Sequence, residues 1–66
     1  MNERLLKIEL AKREMTQKDL ANALDITEST MIRKIKGKSD FNSSEIKKIS
    51  EIFQIPISND LKELFF

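Results

Sequence analysis

The sequence contains no cysteine and no histidine. Without cysteine there is no disulfide and no thiolate metal site. Without histidine, the commonest general base and the commonest metal ligand are both missing. Glycine and proline occur once each, at Gly37 and Pro56, while Lys, Glu, Leu and Ile abound, which points to compact helices. No apolar run approaches the roughly 20 residues that a membrane-spanning helix needs. The opening MNERLLKIEL alternates charge with hydrophobe and carries no small-residue cleavage site, so it does not read as a secretory signal. The expected location is the cytoplasm. The 66 residues are expected to form one domain, residues 1–66, with a modest core and little stability in reserve. So small a body cannot readily enclose a substrate as well as a core, and its carboxylates sit in ordinary helix-surface or cap positions. No enzyme, no cofactor, no metal site and no small-molecule ligand is expected.

Net charge is only +1, but its distribution is uneven. Residues 1–39 hold nine Lys or Arg against six acids; residues 40–66 hold three against five. Arg33, Lys34, Lys36 and Lys38 crowd into six positions. Such a cluster is either the solvated, dipole-favoured end of a helix or a patch for a polyanion.

Hydrophobic spacing predicts an all-α chain. Leu6 and Leu10 share one face of a helix from about Asn2 to Arg13. Thr16 caps a second helix bearing Leu20, Ala21 and Leu24. Thr27 caps a third bearing Met31 and Ile35. Asn42 caps a fourth with Ile46, Ile49 and Phe53, which Pro56 is expected to stop, because the residue before a proline is driven out of the α region. The tail from Ser58 to Phe66 suits a short fifth helix. Three helix starts share one pattern, Met15–Thr16–Leu20, Ile26–Thr27–Met31 and Phe41–Asn42–Ile46: an apolar residue before the cap and another five positions later, able to clasp across the first turn. Asn42 with Glu45 suggests a capping box, and Thr16 with Asp19 a weaker one.

The segment from Thr16 to Gly37, TQKDLANALDITESTMIRKIKG, is the most informative. Two short helical patterns flank a turn of a few residues after Leu24. A turn that short forces the helices to cross steeply, so that the second stands clear of the surface in a shape that fits the major groove of DNA. Within the segment, Gln17, Leu20, Ala21, Leu24, Ile26, Thr27, Met31 and Gly37 fall where the phage repressor and Cro-like helix-turn-helix family, also called the XRE family, places its corresponding residues. The chain resembles that family over essentially its full length. The resemblance implies a compact five-helix, lambda-repressor-like DNA-binding domain with its helix-turn-helix at about residues 16–37. It also implies that the small Ala21 lets the two helices approach and that Ile26 plugs the core between them. Two departures stand out. Asp25 occupies the turn position where the family usually has glycine, and Asp tolerates the left-handed conformation better than most residues. Lys34 stands where a hydrophobe is common, with Ile35 following.

Met31 and Ile35 set the buried direction of the third helix. At about 100° per residue, Glu28, Ser29, Ile32, Arg33 and Lys36 then form one contiguous arc beyond it. In similar repressors the matching positions read base edges. Arg33 suits guanine O6 and N7, Glu28 suits cytosine N4, and Ser29 suits either base of a pair. Ile32 is an apolar residue on a polar arc. It either packs beneath a neighbouring helix or a dimer partner, or meets a thymine methyl. Gln17, Lys18, Thr27, Lys34, Lys38 and Asn42, with Lys36, are expected along the phosphate track, Gln17 by resemblance bracing the third helix against the DNA backbone.

The expected function is sequence-specific binding of double-stranded DNA by a small phage-type, Cro-like transcriptional regulator. It would act at a palindromic operator and as a homodimer at least on DNA, because one helix covers few base pairs. With no space for a sensory second domain, a Cro-like protein or minimal repressor is favoured over a two-domain repressor. Two alternatives stand beside it: a DNA-binding antitoxin of a toxin–antitoxin pair, and a helical protein–protein adaptor. The tail bears on both, since Leu61, Leu64, Phe65 and Phe66 either close the core or form a partner surface, and helix four with the tail is the expected pairing face.

Overall fold

A computed structural model describes residues 1–56 and 59–65. These residues hold five helices and no strand: α1 Glu3–Lys12, α2 Gln17–Ala23, α3 Glu28–Ile35, α4 Ser43–Phe53 and α5 Asn59–Phe65. The all-α expectation is met. The expected tail helix is present from Asn59; Ser58 and Phe66 lie outside the described residues.

Each of the first four helices starts on a side-chain oxygen that accepts an otherwise unpaired backbone N–H. Asn2 Oδ1 takes the Leu5 N–H at 3.2 Å. Thr16 Oγ1 takes the Asp19 N–H at 3.1 Å, and Asp19 returns its carboxylate to the Thr16 N–H at 2.9 Å, so this capping box is complete. That backbone hydrogen bond, with the Thr16 hydroxyl, holds the Asp19 carboxyl below its ordinary range. Thr27 Oγ1 takes the Thr30 N–H at 3.2 Å. Asn42 Oδ1 takes the Glu45 N–H at 2.8 Å.

The helix ends also follow one rule, which the sequence shows much less clearly. Glu14, Asp25, Gly37 and Gln54 all adopt positive φ, at 54°, 59°, 81° and 56°. In every case the left-handed residue and its successor donate back into the last turn. The bonds run from Glu14 and Met15 to Ala11 and Leu10, and from Asp25 and Ile26 to Asn22 and Ala21. The same pattern runs from Gly37 and Lys38 to Lys34 and Arg33, and from Gln54 and Ile55 to Glu51 and Ser50, all within 2.9–3.3 Å. This is the Schellman closure, normally given to glycine. The sequence places glycine at one of the four. The end of α4 therefore comes from Gln54, not from Pro56: the helix has stopped at Phe53 and turned left-handed before the proline is reached.

The core lies between the five helices. Leu6, Leu20, Met31 and Ile49 are fully buried, and Phe53 and Leu64 nearly so. Met15, Ile26, Phe41 and Ile46 pack against this cluster, so every apolar residue flanking the three shared helix starts faces the interior. In the tail, Leu61, Leu64 and Phe65 are buried, which answers the open question in favour of core closure for the described residues. The Asn2 N–H donates to the Leu64 carbonyl at 2.7 Å and ties the start of α1 to α5. Arg13, past the end of α1, donates to the Phe53 carbonyl and lies 4.9 Å over the Phe53 ring, joining α1 to the end of α4.

A residue with a Cβ in the left-handed region costs about 1–2 kcal/mol, against about 0.4–1 kcal/mol of unfolded-chain freedom that glycine adds. Glu14→Gly and Gln54→Gly are each expected to stabilise the protein by about 0.5–1 kcal/mol, read as a higher urea midpoint at unchanged slope. A lowered midpoint in both would contradict the strain assigned here.

Candidate nucleic-acid interface

The turn 24–27 builds the site. Asp25 turns the chain left-handed, Ile26 drops against the core, and Thr27 opens α3 at once. Ala21 is 1 % exposed, small enough for α2 and α3 to close on one another, and these two helices form the most intimate packing among the described elements. On α3, Met31 is 0 % and Ile35 3 % exposed, which fixes the face turned inward. Glu28, Ser29, Ile32 and Arg33, with Lys36 at the helix end, are all exposed on the other side. Ile32 is 38 % exposed, so it does not pack beneath another helix of its own chain.

The expected phosphate residues are more varied. Lys18 and Lys38 are exposed, and Gln17 is half-buried as the first residue of α2. Asn42 is exposed; its Oδ1 serves the α4 cap, leaving its amide N–H groups as donors. The Thr27 hydroxyl is already occupied: it accepts the Thr30 N–H at 3.2 Å and donates to Thr30 Oγ1 at 2.8 Å, with Ser29 Oγ at 3.3 Å. A hydroxyl has one proton, so Ser29 must donate in that last contact, and its lone pairs stay free.

A family model described as a Cro/C1-type HTH DNA-binding domain matches residues 5–63. The chain belongs to this family. No curated protein and no solved structure matches the sequence in the other two comparisons. The Cro/C1-type domain is a sequence-specific DNA-binding module of transcriptional regulators, and DNA binding is accordingly the activity assigned to this chain. Among the described residues, no helix is long and apolar enough to cross a membrane.

Lys34 is the largest difference from the sequence reading within this Cro/C1-type domain. Expected on the phosphate track, its ammonium is instead held inside the molecule, with the Lys34 and Glu45 side chains only 13 % and 10 % exposed. It donates to Glu45 Oε1 at 2.9 Å and to the Asp40 carbonyl at 2.9 Å, and lies 5.7 Å from the Phe41 ring centroid. Glu45 Oε1 also accepts the Asn42 N–H at 2.9 Å. The physical reason is position: residue 34 sits half-inside the interface between α3 and α4, where a cation is tolerable only with a partner. Glu45 was visible in the sequence as a capping residue, but not as that partner. Burial pushes its carboxyl up. The Asn42 N–H and the hydrogen bond and charge of Lys34 outweigh burial and hold it below its ordinary value of 4.5.

Two outcomes follow from the pair. Because the folded state resists protonation that the unfolded chain accepts near 4.5, stability is fully present above that pH and is lost as pH falls through the depressed folded value. Chemical unfolding between about pH 5 and 3 should show this decline, and Glu45→Gln should show a shallower one. Replacing Lys34 by Met alone strands the carboxylate and is expected to cost about 2–4 kcal/mol at neutral pH. A cost below about 0.5 kcal/mol would mean that the pair behaves as an exposed one.

Proposed function

We propose that α3 enters the major groove of double-stranded DNA and that the protein is a small, phage-type, Cro-like transcriptional regulator. The observation that carries this reading is the contiguous exposed arc of Glu28, Ser29, Ile32, Arg33 and Lys36 on a helix whose opposite face is locked into the core. Arg33 offers two parallel N–H donors to guanine O6 and N7. Glu28 accepts from cytosine N4, and Ser29, with its lone pairs available, accepts from an exocyclic amine. Ile32, exposed on the arc, meets a thymine methyl. Lys18, Lys38, Gln17 and the Asn42 amide bind phosphates on either side of the arc, and Lys36 reaches base or backbone at its edge. Lys34 and the Thr27 hydroxyl have internal roles and position these groups.

Occupancy of an operator, rather than chemistry, is the proposed mode of action, in the cytoplasm where the chromosome lies. Two copies bind a palindromic site. With Leu61, Leu64 and Phe65 in the core and Ser43, Ser44, Lys47, Lys48 and Glu51 exposed along α4, no apolar face among the described residues of these elements favours a stable dimer in solution. Pairing on DNA is the simpler reading. The same burial takes Leu61, Leu64 and Phe65 out of the tail patch that spoke for a toxin partner; Phe66 lies outside the described residues.

Selection of bound duplexes from a random pool should return a two-fold symmetric site with guanine in each half. Arg33→Ala should weaken binding to that site by about 1–3 kcal/mol and relax the preference at guanine. Lys38→Ala should weaken all duplexes alike and lower the slope of log affinity against log salt by about 1. Absence of any duplex binding at low salt would overturn the proposal.

A further inference from the structure

We propose that Lys34 is a positioning residue for DNA binding: clasped by Glu45 and the Asp40 carbonyl, it holds the α3–α4 loop in a preformed shape beside the reading arc. This rests on the reading of α3 in the groove and names the device that aligns its flank.

The loop, residues 36–42, joins the two donor groups best placed to flank α3, the Lys38 ammonium and the Asn42 amide. It is pinned in three places. At its start, the Lys38 N–H donates to the Arg33 carbonyl at 2.9 Å, closing α3 around Gly37. At its end, the Asn42 and Glu45 capping box fixes the first turn of α4. Between them, the Lys34 ammonium reaches back across the loop to the Asp40 carbonyl at 2.9 Å. Phe41 lies between that ammonium and α5, 5.4 Å edge-to-face with Phe65. One side chain of the reading helix thus touches the loop carbonyl, the loop aromatic and the carboxylate that anchors the α4 cap.

A hydrophobe at position 34 would fill the same space with no directional bond. The lysine adds direction: its donors and the two acceptors define one arrangement of loop against helix. A loop ordered before binding loses less freedom on meeting phosphate, so affinity rises without any direct contact from Lys34. Sequence preference resides in the arc and is left unchanged.

Lys34→Met alone strands Glu45 and risks unfolding, so the test uses Lys34→Met with Glu45→Gln. Gln keeps an acceptor for the Asn42 N–H, Met fills the apolar space, and both charges leave together. Two readouts are taken at a temperature where parent and variant are fully folded. The first is amide hydrogen exchange in free protein. Exchange at Lys38 and Asn42, the loop amides that are hydrogen-bonded in the parent, is expected to accelerate at least about tenfold while Ile35 is unchanged. The second is affinity, at fixed salt, for the selected operator and for an unrelated duplex. Both are expected to weaken by a similar factor of about five to ten, with the ratio between them preserved. Exchange at the parent's rate, or loosened exchange with both affinities at the parent's level, would overturn the proposal. So would loss of operator affinity alone, which would mean that the arc itself had moved. Failure of the parent to bind any duplex is a separate result, seen in the parent's own control, and removes the groove reading on which this one stands.

Discussion

Everything in this molecule depends on a three-residue elbow used twice. A left-handed residue ends one helix, a hydrophobe follows, and a threonine caps the next: Glu14–Met15–Thr16 before α2 and Asp25–Ile26–Thr27 before α3. The middle residue belongs to both helices. Its N–H closes the helix behind, at 2.9 Å for Met15 and 3.0 Å for Ile26, and its side chain packs on the core ahead of the new first turn. With no slack between the closing bond and the opening cap, the direction of each new helix is fixed by backbone geometry. The exposure of the α3 arc is a consequence of that geometry; no later contact has to push those side chains outward.

The ion pair between Lys34 and Glu45 works against the usual economy of a small core. Two charged groups leave much of their water behind, and this is tolerable because every strong contact is reciprocated: ammonium to carboxylate, ammonium to carbonyl, carboxylate to backbone N–H. An apolar pair would serve stability as well. What the charged pair adds is selectivity among arrangements, since few placements of α4 against α3 satisfy all three bonds at once. In a domain with one core and short helices, such selectivity matters more than in a large protein with many layers.

Much of this was legible in the residues. The capping side chains of Thr16, Thr27 and Asn42, the core positions of α1 to α3 and the inward direction of Met31 and Ile35 follow from period and cap chemistry, because those signals are local. The left-handed closures at Glu14 and Gln54 were not legible: neither residue type advertises positive φ, and the closures are imposed by the hydrophobe that must reach the core one step later. The Lys34–Glu45 pair was equally hidden, since it spans eleven residues and two elements, and nothing in either neighbourhood marks the other. The one hint was a lysine in a position that resembled proteins usually fill with a hydrophobe. The tail was ambiguous for a different reason: apolar residues at helical spacing read the same whether they cover their own core or another chain.

The bond between the Asn2 N–H and the Leu64 carbonyl carries a topological consequence. It brings the beginning of α1 against the last described turn of α5, so the path of the chain nearly closes into a ring. A short covalent bridge across that gap would restrict the unfolded ensemble while asking little of the folded one. The same closeness allows the backbone to be opened elsewhere and rejoined here, so the order of the helices along the chain is separable from their order in space.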